Sequence, residues 1–242
     1  MDLEGRVALV TGGARRVGRT ITLALARAGA DIIVNYNESA EEADAVVEEF
    51  AAMGRRGAAV QADVSTEQGR SDLIEAARTK FGRLDVLINS AALFERKAFA
   101  EITLEDWRRV IGVNLEGPFF LAQVAAPLLG QNDGCIINIC DLSAVQAWPS
   151  YAHHAVSKAG LLHFTSVAAR ALAPAVRVNA IIPGTVLPPD DFDGQDNAGG
   201  PDRRAVRREG RPDDVADAVL YLVRAEFVTG ETIVVDGGRM LL

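Results

Sequence analysis

Residues Thr11 to Gly18 read TGGARRVG, a glycine-rich turn between a β-branched run and a helical pattern. Glycine lets a backbone approach a pyrophosphate closely, and the N-terminus of the following helix receives its charge. A lone glycine pattern says little. Here the order strand, turn, helix, second strand is the one that dinucleotide binding requires, so Gly12, Arg15, Arg16 and Val17 are read as cofactor contacts. The choice of cofactor turns on the end of the second strand, where a carboxylate would take the ribose 2′-hydroxyl of NAD. That segment is VNYNES, with Tyr36 and Asn37 in place of the acid. With Asn37 there and Arg15 available to a 2′-phosphate, NADP is favoured over NAD, although Glu38 argues the other way. The alternative for Arg15 and Arg16 is a solvated pair at a helix start, which the helix dipole disfavours slightly.

The elements that must position this turn follow two periods. RVALV (6–10) and DIIVN (31–35) are buried-strand candidates; between them Val17, Ile21, Leu25 and Ala28 fall at helical spacing, with Gly29 as the stop. Ser39 is placed as the N-cap of a second helix whose apolar stripe is Ala43, Val46, Val47, Phe50 and Ala51. Further strands are expected at 57–61, 84–88, 134–139, 175–180 and 231–235, and helices near 67–81, 103–129, 151–172 and 212–223. Near-continuous apolar strands alternating with helices predict an α/β fold. The expectation is a single Rossmann-like domain over 1–242, with about seven parallel strands, helices on both faces, and ligand sites at the carboxyl ends of the strands. Segment 187–202, LPPDDFDGQDNAGGPD, has no pattern of its own and is read as a lid over a site or as a solvated insertion.

Composition removes several function classes. The chain has 242 residues, 49% of them hydrophobic, enough to bury a sizeable core. A net charge of −8 gives no long-range attraction to nucleic acid or anionic lipid. No long apolar run suggests a membrane span or a secretory signal, so a cytoplasmic protein is expected. Cys135 and Cys140 lie in an apolar stretch and read as reduced core thiols, with no metal site implied.

Several segments in order resemble the short-chain dehydrogenase/reductase family along the whole chain. They are TGGARRVG, QADVS with Asp63 and Val64, INSAA with Asn89, GVNLEGP with Asn114, CDLS at 140–143, HAVSK at 154–158, RVNAIIPGTV and FVTGETIVVDGG. Within the family the chain looks most like the pteridine reductases, including the dihydromonapterin reductases. Arg16 stands where the middle glycine is usual, Asp141 where most members have the catalytic serine, and Phe94 where that branch has an aromatic against the pterin ring. The resemblance implies that Asp63 and Val64 edge the adenine, and that Asn89 also lies on the cofactor. It places Pro183, Gly184 and Val186 on the nicotinamide carboxamide. Arg16, Phe94, Asp141 and His154 would meet a pterin-like substrate. It also implies a homotetramer, through the apolar C-terminus VDGGRMLL.

The family signature is YxxxK, and this chain has HxxxK: His154 stands four residues before Lys158. Tyr151 lies on roughly the same helix face but ~10 Å along the axis from Lys158, against ~6 Å for His154. Only the i, i+4 pair places both side chains around one hydride acceptor. Imidazole is a competent general acid near neutral pH, whereas a phenol has a reference pKa near ~10. The expected mechanism has Asp141 and His154 delivering a proton, Lys158 holding the nicotinamide ribose, and Asn114 holding a water that recharges the acid. His153 and His163 are read as structural. Trp148 and Pro149 either line the pocket or shape the turn.

Overall fold

The computed structural model describes residues 1–187 and 204–242, so the segment expected at 187–202 lies outside the described residues except for Leu187. Seven strands pair in parallel: β1 (Val7–Val10), β2 (Asp31–Tyr36), β3 (Gly57–Gln61), β4 (Val86–Asn89), β5 (Cys135–Ile139), β6 (Arg177–Pro183) and β7 (Thr232–Val235). Their order, β3-β2-β1-β4-β5-β6-β7, reverses direction between β1 and β4. That reversal opens a crevice at the carboxyl ends of the strands, where ligands bind in open α/β sheets. The helices are α1 (Arg16–Arg27), α2 (Ala40–Ala52), α3 (Glu67–Ala76), α4 (Leu104–Ile111), α5 (Gly117–Gly130), α6 (Ala152–Ala171) and α7 (Pro212–Arg224).

Both faces of the sheet are covered, which is why the strands read as unbroken apolar runs. Ala8, Val10, Ile32, Val34 and Ile137 point to one side, against Ile21 and Leu25 of α1, Phe50 of α2 and Val219 and Leu222 of α7. Their neighbours Val7, Leu9, Ile33 and Ile136 point to the other, against Leu73 of α3 and Leu121 and Leu129 of α5. The period of two in each strand decides which face a residue meets.

Two expectations change in detail. The helical pattern near 103–129 is three pieces: α4, a π-helical turn at Gly112–Glu116, and α5. Such widened turns are rare and often occur at functional sites; this one carries Asn114. Ser39 stands at the N-cap of α2, but its side chain makes no capping bond. Side-chain caps are instead found at Thr66 on α3 and Thr103 on α4. Among the described residues no helix is long and apolar enough to cross a membrane.

Beneath the sheet, Asp85 is fully buried and binds Val7 N at 2.9 Å, Arg6 Nη1 at 2.9 Å and Arg83 Nε at 2.7 Å. It joins the starts of β1 and β4, the strands that flank the crevice. Asp85→Ala would strand the Val7 amide and unpair both guanidinium groups, lowering the unfolding free energy by about 3 kcal/mol. Urea denaturation of wild type and variant measures this difference.

Candidate active site

The glycine turn is held from three sides. Thr11 Oγ1 accepts from Ser90 N (2.9 Å) and Ala91 N (3.1 Å) beyond β4. Buried Asn35 binds Gly12 N through its side chain (3.3 Å) and Gly13 N through its carbonyl (3.0 Å), while its amide donates to Ala62 O (2.9 Å). Gly12 has φ +61°, and a Cβ on Gly18 would fall 2.1 Å from Gly12 O. Glycine is therefore required where the helix start presses on the turn. Arg16, in the position of the usual middle glycine, has φ +53°, a left-handed conformation that costs a non-glycine residue about 1 kcal/mol. The first turn of α1 carries no acidic residue and its N-cap, Arg15, makes no side-chain capping bond, so the start of the helix suits an anion.

At the other end of the crevice α6 presents His154 and Lys158 on one face, toward Asp141 beyond β5. His154 Nε2 lies 2.6 Å from Asp141 Oδ2, and His154 Nδ1 lies 2.9 Å from the Leu93 carbonyl. Asp141 Oδ1 accepts from Ser143 N at 2.8 Å and from the Ser143 hydroxyl. Lys158 Nζ donates to Ile139 O at 2.9 Å. Burial alone would raise the Asp141 carboxyl, but the His154 hydrogen bond, the Lys158 charge and the Ser143 bond outweigh it and hold it at about 2. Asp141 is thus a carboxylate at neutral pH.

Asn114 is fully buried, and its amide brackets one peptide group. Its oxygen accepts from Leu93 N (2.8 Å), and its nitrogen donates to Leu93 O (3.0 Å) and Ser157 Oγ (3.1 Å), 3.2 Å from His154 Nδ1. The side-chain amide nitrogen thus faces three protein groups at 3.0–3.2 Å. The Leu93 N–H fixes which end of the amide is oxygen.

Phe94, 42% exposed, stands edge-on to His154 at 4.8 Å and stacks on Tyr151 at 4.4 Å, with Trp148 edge-on at 6.4 Å. Tyr151 is accordingly part of an aromatic wall, and Trp148 belongs to it as well. His153 is buried with neither ring nitrogen hydrogen-bonded, and His163 is exposed.

The other expected contacts are spread along the crevice. Arg15 and Arg16 are exposed beside the turn, with Arg15 Nε 3.9 Å from Glu42, and Val17 is half-buried. Asn37 is exposed past β2, and its carbonyl accepts from Gln61 Nε2 at 2.9 Å. Asp63 Oδ1 takes Ser65 N at 2.8 Å, and Val64 is buried beside Gly117. Asn89 closes β4 at the crevice; its side-chain amide is buried and donates to Asn138 Oδ1 at 2.8 Å, tying β4 to β5. Pro183 ends β6, and Gly184 lies against Asp236, where a Cβ would come within 2.8 Å. Gly184 and Val186 line a cavity of about 240 Å³ at the carboxyl ends of β6 and β7. Among the described residues no group of three or more His, Cys, Asp or Glu could hold a metal ion. Ser143, Ser157, Asn35 and the Leu93 carbonyl escaped the sequence reading; a serine two residues after Asp141 was the one visible hint, since Asx turns place it there.

A crevice with a glycine turn at one end and an acid–imidazole–lysine cluster at the other defines a dinucleotide-dependent oxidoreductase site. A family model described as enoyl-(acyl carrier protein) reductase matches residues 12–239. An uncharacterized oxidoreductase of Methylorubrum extorquens is 41% identical, over 98% of this chain and 98% of its own. A 3-oxoacyl-[acyl-carrier-protein] reductase of Synechocystis is 38% identical, over 99% and 98%. A short chain dehydrogenase of Burkholderia cenocepacia, solved in complex with NADP, superposes with a TM-score of 0.92 at 34% identity, over 99% of this chain and all of its own. The chain belongs to the short-chain dehydrogenase/reductase family and is an oxidoreductase of that type.

The Asp141 carboxyl, held below its ordinary value near 4, stabilises the fold fully above about pH 4 and loses that contribution as pH falls toward 2. The stability gap between wild type and Asp141→Asn is therefore expected to shrink from pH 5 to pH 2.5. Denaturant titrations across that range measure it.

Proposed function

We propose that the protein is an NADPH-dependent reductase that adds hydride to a ring C=N or C=O group, with a pterin or dihydropterin as the substrate class. The observation that carries this reading is the convergence of Asp141, His154 and Lys158 beside the half-open Phe94 ring. NADPH, when bound, supplies the hydride. Gly12 and the start of α1 would take its pyrophosphate, with Arg15, Arg16 and Val17 beside them. The absence of a carboxylate at Tyr36 and Asn37 favours the 2′-phosphate form, as does the NADP complex of the Burkholderia relative. Asp63 and Val64 would edge the adenine, Pro183, Gly184 and Val186 the carboxamide, and Lys158 the ribose hydroxyls.

A flat polar heterocycle suits a half-open aromatic ring set against an imidazole and its carboxylate partner better than an acyl chain does. The name of the Synechocystis relative favours a second reading, a 3-oxoacyl thioester reduced at the same site. In either case the acid chemistry belongs to Asp141 and His154. Exposed apolar side chains on α5 (Phe119, Phe120), on α6 (Val156, Val167) and at the C-terminus (Leu241, Leu242) support assembly as a homotetramer, which a light-scattering mass would establish or remove.

The test is NADPH oxidation with a dihydropterin beside an acetoacetyl thioester. Turnover is expected with the dihydropterin, and at least tenfold slower with NADH. His154→Ala is expected to lower kcat about 100-fold at pH 7.5. Turnover with the thioester alone would put the second reading in place of the first.

A further inference from the structure

We propose that Asp141, and not His154, is the group that hands the proton to the substrate. His154 stands behind it as a buried imidazolium that stores the proton, with Ser143 and the Asn114–Leu93 bracket as positioning residues. This rests on the reductase reading above, and names the order in which its acid groups act.

Exposure and hydrogen-bond polarity both point this way. The His154 side chain is 1% exposed and that of Asp141 is 21% exposed, so the carboxylate is the member of the pair that the crevice reaches. Each ring nitrogen of His154 faces an acceptor: Asp141 Oδ2 at 2.6 Å and the Leu93 carbonyl at 2.9 Å. A neutral imidazole has one N–H and would leave one of these contacts without a hydrogen; the imidazolium satisfies both. The Leu93 carbonyl cannot turn away, because Asn114 binds the Leu93 carbonyl and its amide N–H together. Ser143 grips Asp141 Oδ1 with its amide and hydroxyl, leaving Oδ2 for the ring.

The charged and titratable groups around the pair do not supply a competing acid. Lys158 on α6 adds a positive charge beside Asp141. The Cys140 thiol is pushed up to about 12 by burial and stays neutral. His153, also on α6, is held below its ordinary value by burial, against the pull of Glu95 before α4 and Asp106 on α4 and with a smaller push from Arg109.

Hydride from NADPH forms the new C–H bond, NADPH leaves as NADP⁺, and the electron pair of the C=N or C=O bond moves to the heteroatom. The one proton that moves leaves His154 Nε2 for Asp141 Oδ2 and goes on from Oδ2 to the heteroatom, so Asp141 is a carboxylate before and after the step. His154 is left neutral, with Nδ1–H still on the Leu93 carbonyl, and takes a new proton from water.

Two measurements decide the matter. In the holoenzyme with NADP⁺ and ¹⁵N-labelled histidine, at the pH of the turnover assay, His154 is expected to give two protonated ring nitrogens, matching its two acceptor contacts; one unprotonated nitrogen would overturn the imidazolium, whatever the turnover. In activity profiles from pH 5 to 9, His154→Gln should lose activity at neutral pH and regain much of it at acid pH, where Asp141 takes up its own proton. Asp141→Asn should lose about 100-fold or more at every pH, and Ser143→Ala should move the alkaline limb upward, because the carboxylate it stops stabilising holds the proton more tightly. An Asp141→Asn enzyme that keeps its activity while His154→Gln fails at all pH values would make His154 the donor and overturn the order proposed. Urea midpoints of the variants separate these effects from misfolding.

Discussion

An imidazole and a carboxylate 2.6 Å apart, one of them almost sealed from solvent, need an environment that accepts both charges. Burying an ion costs several kcal/mol unless every remaining hydrogen and lone pair finds a partner. Here the partners are at hand: the Leu93 carbonyl lies 2.9 Å from the second ring nitrogen, Ser143 binds the second carboxylate oxygen, and Lys158 adds a positive charge beside the carboxylate. Much of the local architecture serves this requirement. The π-helical turn at Gly112–Glu116 carries Asn114 at the level of the Leu93 peptide, and α6 carries His154 and Lys158 one helical turn apart.

The two ends of the crevice are mechanically linked through the sheet. Thr11 binds the amides just beyond β4, and those residues run on to Leu93 and Phe94. Asn35 ties the glycine turn to β2 and to the chain beyond β3, while Asn89 and Asn138 lock β4 to β5 directly above the core. Buried amides in such places hold strand ends against drift: Asn35 donates to Ala62 O, Asn89 to Asn138 Oδ1 and Asn138 to the Thr165 hydroxyl. A site spread over the ends of four strands thereby keeps its distances.

The sheet was legible in the sequence because its strands are buried on both sides: VALV, IIV and CII are short apolar runs, and the helices between them keep a clean period. The cofactor turn was legible for a similar reason, since close approach leaves glycine as the residue that fits at Gly12 and Gly18. What escaped was carried by backbone groups or by geometry with no residue signature. The Leu93 carbonyl has no side chain to betray it. The π turn hides inside a continuous helical pattern, because one extra residue per turn barely disturbs a period of 3.6 over five residues. The Asn89–Asn138 pair is of the same kind, since neither residue alone announces a bond between adjoining strands.

The thiols of Cys135 and Cys140 lie within and at the end of β5, and burial pushes them up to about 11 and about 12. A thiol so far from ionisation is a poor nucleophile toward peroxides and disulfides. One of the two is the immediate neighbour of Asp141, so the catalytic strand end carries sulfur that oxidants find hard to engage. The crevice that takes up a nicotinamide nucleotide is thus lined next door by thiols kept in their unreactive form.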